Sequence, residues 1–455
     1  MTKPLTADRR KFLAGTGSAF AALAASGCTF RNSAGGGMQA PVSAAPMREF
    51  VDYGPLVEDP AGLLDLPQGF SYRTLSSLGD AMSDGGTVPD KADGMGCIDL
   101  GGGRIALVRN HELIPTDDAG ATLTSGYGTR NGEIVPGGTT TIVLDADTLA
   151  VEREFRSLAG TIRNCSGGIT PWGTWLTCEE APTGPGQRYG EGLAKNHGWV
   201  FEVPAAATSQ VEAVPLTAMG RFNHEAACVD PRTGIVYLTE DRDDSVFYRF
   251  IPAVPGQLAR GGRLQAMVLS DGMRDSRNWN ETAMRVGSRH AARWVDITDV
   301  EAPEDDLREQ GAGKGALKIA RGEGVHMGEG ELYICSTSGG AAKLGQIFRL
   351  VPGVAGSDDM FELFFESTSP DQFNFGDNLT TSPNGHLIVC EDQYSDPVDN
   401  YLRGITPAGT AYPLGRLRRQ TELAGGCWSP DGKWFFVNAY SPTVTVAITG
   451  PWANA

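Results

Sequence analysis

Histidine is scarce in this chain, with six residues in 455, and the two common zinc-ligand spacings, His-Glu-x-x-His and Cys-x-x-Cys, do not occur. A phosphate-cradling Gly-x-x-x-x-Gly-Lys loop is also missing. The Gly-Ser pieces NCSGG and STSGG lack the strand-to-helix elbow of a serine hydrolase, and so few histidines leave little choice of base. Basic residues are outnumbered, 38 against 55 acidic, for a net charge of −17, which argues against a nucleic acid partner. These absences leave a metal-centred chemistry as the reading to test.

What the chain has in excess is glycine: 60 Gly and 27 Pro, spread in turn-like dipeptides, favour many short strands over long helices. The N-terminus carries Arg9-Arg10 before Lys11-Phe12-Leu13 and a small apolar run from Ala14 to Gly27 with no acidic residue. That pattern reads as a twin-arginine export signal over residues 1–27, its apolar run too short to span a bilayer permanently. Ala25-Ser26-Gly27-Cys28 resembles a lipobox, so the signal ends either in simple cleavage nearby or in lipidation of Cys28, which would anchor the protein to a membrane. Residues 28–46 then form a flexible Ser/Gly/Ala/Pro tether, and 47–455 the folded domain. The expected location is periplasmic or otherwise outside the cytoplasm. Of the eight cysteines, Cys178, Cys228, Cys335 and Cys390 lie in apolar stretches and are expected as buried free thiols.

One pattern recurs six times: a turn with glycine, an apolar run, then a polar or acidic cluster. The copies are GGGRIALVRNHE, TPWGTWLTCEE, DPRTGIVYLTED, GEGELYICST, SPNGHLIVCED and SPDGKWFFVN. Their turn glycines, Gly103, Gly173, Gly234, Gly330, Gly385 and Gly432, suit one four-stranded blade per interval. The runs are apolar on both faces, as expected where blades stack face to face. The fold expected is all-β, a six-bladed β-propeller with rim insertions, the largest being a charged loop from Gln257 to Ala316.

Polar clusters close the apolar runs, where a solvated charge is not the natural expectation. They include Asn110-His111-Glu112, Cys165, Glu179-Glu180, His224-Glu225, Glu240-Asp241, Arg321-Gly322-Glu323, Asp377-Asn378 and Glu391-Asp392. Charges beside buried strands are paired or coordinate metals; each cluster alone fits an ion pair between blades, whereas all together fit a metal centre. Carboxylates and amides suit calcium, and one thiolate among them suits a transition metal such as iron. His111 and His224 fit either ligands or hydrogen-bond partners of a carboxylate. Arg321, two residues before Glu323 on an extended segment, is placed to project a guanidinium beside the metals toward phosphate oxygens, or to neutralise surplus acid.

The motifs RNHE, GGTTTIVLD, RNCSGGITPWGTWLTCEE, GRFNHEAACVDPRTGIVYLTED, ARGEG, GDNLTTSPNGHLIVCED and ELAGGCWSPDGKWFFVN, running from Arg109 toward Trp452, together resemble the PhoX family of bacterial alkaline phosphatases. The resemblance implies a propeller holding two ferric ions and two or three calcium ions in its mouth and hydrolysing small phosphate esters. Carried over, it marks Cys165, Glu180, Glu225 and Glu323 as cluster ligands and Arg321 as the phosphate-contacting, catalytic arginine. Asn110, Glu112, Glu240, Asp241, Asp377, Glu391 and Asp392 resemble further metal positions. Ser166 stands where the family pattern carries Ala, and the chain is compact beside the family's larger members, which leaves its substrate range open. Two other readings stay open at this level: a calcium-dependent propeller lactonase and a non-catalytic metal-binding propeller.

Overall fold

The computed structural model describes residues 52–354 and 357–452. The export signal, the tether and Cys28 lie outside the described residues. Among the described residues the fold is all-β, with thirty strands, one α-helix at Leu307–Gly313 and two short 3-10 turns. Each of the six apolar runs forms a strand: Arg104–His111, Thr174–Glu179, Val236–Glu240, Leu332–Ser336, Leu387–Glu391 and Phe435–Ala439. None of the six lies at an edge. Each pairs antiparallel with a preceding, innermost strand that the repeat pattern did not single out: Ala92–Gly101, Asn164–Ile169, His224–Val229, Gly322–Met327, Gly376–Thr381 and Leu423–Trp428.

The innermost strands pack against one another in chain order, and the last packs against the first, so the arrangement is propeller-like around a common axis. Its hydrogen-bonded sheets depart from the expected six separate four-stranded blades. Two have four strands, one has three, one has six and one has nine, beside two small two-stranded ribbons. The nine-stranded sheet has an identifiable cause. Arg289–Asp296 pairs with Gly262–Leu269 on one side and Asp359–Glu366 on the other, zipping two sets of strands edge to edge. This also corrects the expected loop from Gln257 to Ala316, which contributes two strands and the helix. The six-stranded sheet grows because Leu64–Pro67 adds to Ala411–Leu417 and Leu56–Val57 adds to that.

Closure joins an early strand to a late one. Ser71–Ser77 pairs with Val444–Thr449 and completes the sheet that begins at Leu423–Trp428. Between sheets the apolar faces interlock: Leu176, Val200, Phe222, Leu238, Tyr248 and Phe250 share one cluster, and Leu402, Tyr412, Phe435 and Val446 another. Each such fully buried side chain contributes about 1.5–3 kcal/mol. Seven cysteines are free among the described residues, including Cys178, Cys228, Cys335 and Cys390, all buried. No helix among the described residues is long and apolar enough to cross a membrane.

Candidate metal centre

The innermost strands share a local irregularity that builds the site. In all six, the pairing register breaks near the strand's start, between Ala92 and Met95, Asn164 and Gly167, His224 and Ala227, Gly322 and Val325, Gly376 and Leu379, and Ala424 and Cys427. A bulge of this kind re-aims a side chain out of the alternating pattern. The residues released are Asp93, Cys165, Glu225, Glu323 and Asp377, five of the ligating type. The sixth is Gly425, in the left-handed region at φ +66, where a Cβ would stand 2.3 Å from the carbonyl oxygen of Asp93. Two residues ahead of the released side chain, Lys91, Arg163, Arg321 and Phe375 also hold positive φ, between +48° and +55°.

A second set of acids comes from the neighbouring strands. At their ends two polar residues stand in sequence, and strand alternation sends them opposite ways. Glu180 and Asp392 face the mouth, while Glu179 and Glu391 turn inward to fixed partners. Glu179 accepts from His197 at 2.6 Å and from the N–H groups of Ile162, Gly198 and Trp199. Glu391 accepts from Arg403 at 2.8 Å and from the N–H groups of Asn374 and Tyr401. In the same way Glu240 takes the Tyr248 hydroxyl at 2.8 Å while Asp241, next along, meets Arg321.

Four triads of potential ligands result, in each of which the ligand atoms lie within 4.8 Å of one another: Asp93, Glu112 and Cys165; Cys165, Glu180 and Glu225; Glu225, Glu323 and Asp377; Asp377, Asp392 and Glu422. Consecutive triads share a corner, so the groups form one continuous arc. Of the residues expected from sequence, the arc gathers Glu112, Cys165, Glu180, Glu225, Glu323, Asp377 and Asp392. Asn110, Glu240 and Glu391 stand outside it. Asn110 instead donates to the carbonyls of Cys165 and Ser166 at 3.0 and 2.7 Å and accepts from Trp175, so it holds the bulged backbone that carries the thiol. Asp241 lies outside the triads and is joined to the arc by Arg321 and, through its carbonyl, by the Asn223 amide that also donates to Glu180. His111 and His224 are buried and bond Asp90 O and Thr140, and Gly220 O, respectively, not a ligand carboxylate.

Sequence reasoning missed Asp93 and Glu422. Asp93 begins a strand, whereas attention fell on acidic strand ends; its signal is an acid or thiol followed by small residues, shared by ADG, NCSGG, HEAA and GEG. Glu422 reaches the mouth because pairing in its sheet continues through Leu423 and Ala439.

The electrostatics are those of a site that wants cations. Asp93, Glu112, Cys165, Glu180, Glu225, Glu323 and Asp377 are buried. Burial, then the charges of Glu112 and Asp377, pushes the Asp93 carboxyl well up from its usual range. Burial, then Glu323, Asp377 and Glu180, does the same to Glu225. Asp377 is raised to about 8, by burial first and Asp392 second, and the Cys165 thiol is raised by burial and then by Asp93. Both carboxylate oxygens of Glu225 and Oδ1 of Asp93 are buried with no hydrogen-bond partner among the described residues. Buried carboxylate oxygens are ordinarily paired or metal-bound, and leaving them bare costs several kcal/mol. The residues present therefore fit a bound group of cations.

Around the arc stand its supports. Arg163 donates to Glu112 and Glu180 at 2.6 and 2.5 Å, tying two triads together. Tyr440 donates to Glu112 at 2.5 Å, and Tyr394 donates to Asp392. Arg321 is pinned by Nε to Asp241 at 2.8 Å and by Nη2 to Asp241 at 3.2 Å and Glu323 at 2.7 Å. Its Nη1 makes no hydrogen bond among the described residues. Beyond the arc, on the axis side, a cavity of about 660 Å³ is lined by Met95, Ile169, Trp175, Val325 and Leu379 among others.

The profile of the family described as alkaline phosphatase PhoX matches residues 51–443. Among solved structures, the chain is similar to Pseudomonas fluorescens PhoX in complex with vanadate, a transition state analogue, at 19% identity and a TM-score of 0.68, covering 88% of this chain and 98% of that one. A gluconolactonase from Xanthomonas campestris shares 13% identity, with 88% and 98% coverage and a TM-score of 0.39. No curated protein matches the chain. With the family profile covering nearly all of the described residues, the chain belongs to the PhoX alkaline phosphatase family.

Proposed function

We propose that this protein hydrolyses phosphate esters at the mouth of its propeller-like fold, with metal ions held by the arc. The observation that carries the reading is Arg321, whose fixed guanidinium presents an unengaged Nη1 beside Glu323 of a metal triad. Two N–H groups on a rigid planar fork suit two phosphoryl oxygens and the charge that develops on them. Asp241 fixes the direction of that fork, and Glu323 ties it to the arc. Arg163 holds Glu112 and Glu180 in place at the arc, so neither swings into the path of substrate.

The two triads that contain Cys165 offer a thiolate among carboxylates and would hold the two ferric ions; Asp377, Asp392 and Glu422 offer oxygen alone and would hold calcium, two or three ions in all. Bound there, the cations would neutralise phosphoryl charge and lower the pKa of a water for in-line attack. A six-bladed count belongs to the same proposal, supported by six innermost strands that each carry a bulge at the same level; the nine-stranded sheet then counts as two blades joined by Arg289–Asp296. Export by the twin-arginine route, with or without a lipid on Cys28, is proposed from the N-terminal sequence.

Elemental analysis of protein exported from an iron- and calcium-replete host, with nitrophenyl phosphate turnover measured on the same sample, tests the proposal. Iron, calcium and turnover together are expected. Protein with calcium but no iron would favour a lactonase-like site, and full metal content without ester cleavage would make the metals structural.

A further inference from the structure

Beside the arc, on the side of Asp392, stands a group that the reaction so far leaves unused. Tyr394 is 70% exposed, unusual for so large an aromatic ring. Yet it is not loose at its tip, because its hydroxyl donates to Asp392, a member of the last triad. The anchored hydroxyl fixes the ring's position while leaving its faces to solvent. Phe375 meets it edge-on, with ring centres 6.5 Å apart at 85°, an ordinary stabilising geometry for two aromatics. Phe375 occupies the same place in its strand as Arg321 does in its own, two residues ahead of the released ligand at positive φ, and its carbonyl accepts the Asp392 N–H at 2.8 Å. The ring pair and the arginine therefore belong to one circle of mouth residues.

Resting on the phosphate-ester reading above, we propose that Tyr394 and Phe375 form a shelf for the organic group of the ester, and that the preferred substrates are phosphomonoesters carrying a planar aromatic or heteroaromatic ring close to the ester oxygen. With phosphoryl oxygens at Arg321 and the arc, the organic group leaves the arc toward the solvent side. The exposed face of Tyr394 offers it a fixed, flat partner. A flat ring gains stacking over a saturated ring of the same size, amounting to about 2- to 10-fold in affinity.

The test uses metal-loaded protein and two pairs of compounds: phenyl and cyclohexyl phosphate as substrates, phenyl- and cyclohexylphosphonate as uncleavable ligands measured by calorimetry. The wild type is expected to bind phenylphosphonate about 5-fold more tightly than its saturated counterpart. In Tyr394→Leu that ratio falls to near one, and the phenyl-to-cyclohexyl ratio of kcat/KM falls by the same factor. Tyr394→Phe, which keeps the ring, retains most of both preferences. Equal ratios in wild type and Tyr394→Leu would overturn the shelf, as would a loss in Tyr394→Phe as large as in Tyr394→Leu. A phosphonate preference that Tyr394→Leu abolishes, in protein that cleaves neither phosphate, would sustain the shelf and reject hydrolysis.

Discussion

Replacing Arg321 by alanine separates chemistry from metal retention. The side chain makes three hydrogen bonds to Asp241 and Glu323 and keeps Nη1 free. If Nη1 meets the phosphoryl group, its contribution grows as charge moves onto the oxygens, so the loss falls on kcat more than on KM. Removing one fixed donor at a developing oxyanion lowers kcat by about 10²–10³, and arginines in phosphoryl transfer reach 10³–10⁵. The arc persists in Arg321→Ala and still neutralises charge, so the lower range applies: a 10²- to 10³-fold fall in kcat, or about 3–4 kcal/mol of barrier. Arg321→Lys restores a charge but cannot grip Asp241 with two nitrogens while reaching Glu323, and is expected to recover roughly 10-fold of the loss. The assay is saturation kinetics on nitrophenyl phosphate, with metals quantified in every preparation. A kcat within about 3-fold of wild type at equal metal content would refute the reasoning. So would activity that falls only in step with lost metal, because Arg321 would then merely hold its two carboxylates.

Stripping the metals should invert the pH dependence of stability. In the metal-free fold Asp377 is raised from 3.8 to about 8, so the folded state holds a proton that the unfolded chain releases. Its stabilising contribution is complete below pH 4 and is lost as pH rises through 8, amounting to several kcal/mol at ~1.4 kcal/mol per unit; melting of the chelated protein from pH 5 to 9 should show Tm falling, and a flat or rising Tm would contradict it. Arg403→Met strands Glu391, buried and paired at 2.8 Å, and should destabilise the fold by about 3–5 kcal/mol while metal content per folded molecule is kept. Loss of a metal in that variant would return Glu391 to the ligand set. Gly425→Ala forces a Cβ to 2.3 Å from the Asp93 carbonyl at a positive φ, and should lower both Tm and metal retention, whereas a wild-type metal ratio would show that the strand yields freely.

The second strand of each sheet was legible because its two faces are both buried, giving unbroken runs such as IALV and WFFV. The innermost strands were not, since they are rich in Gly, Ser and Ala where backbones approach closely: a Cβ on Gly168 would lie 1.8 Å from the Ala227 carbonyl oxygen. Glu240 and Glu391 were read with the ligands for one reason. Glu240 and Asp241, or Glu391 and Asp392, look alike in sequence, and only the alternation of the strand sends one inward to a tyrosine or arginine and the other to the mouth. Asp93 could not be sorted from the surrounding charged loop DGGTVPDKADG without knowing where the bulge falls. The fused nine-stranded sheet depends on Arg289–Asp296, whose mixed, half-exposed pattern carries no period of its own.

The pairing of Ser71–Ser77 with Val444–Thr449 bears on how the protein comes into being. The ligands of the arc are translated in the order in which they stand around it, from Asp93 to Glu422, but the sheet that holds Glu422 against Asp93 lacks two members until Phe435–Ala439 and Val444–Thr449 are made. A nascent polypeptide thus carries most of the ligands long before it has a ring to keep them in. Occupancy of the whole arc therefore waits until a late strand meets one of the earliest.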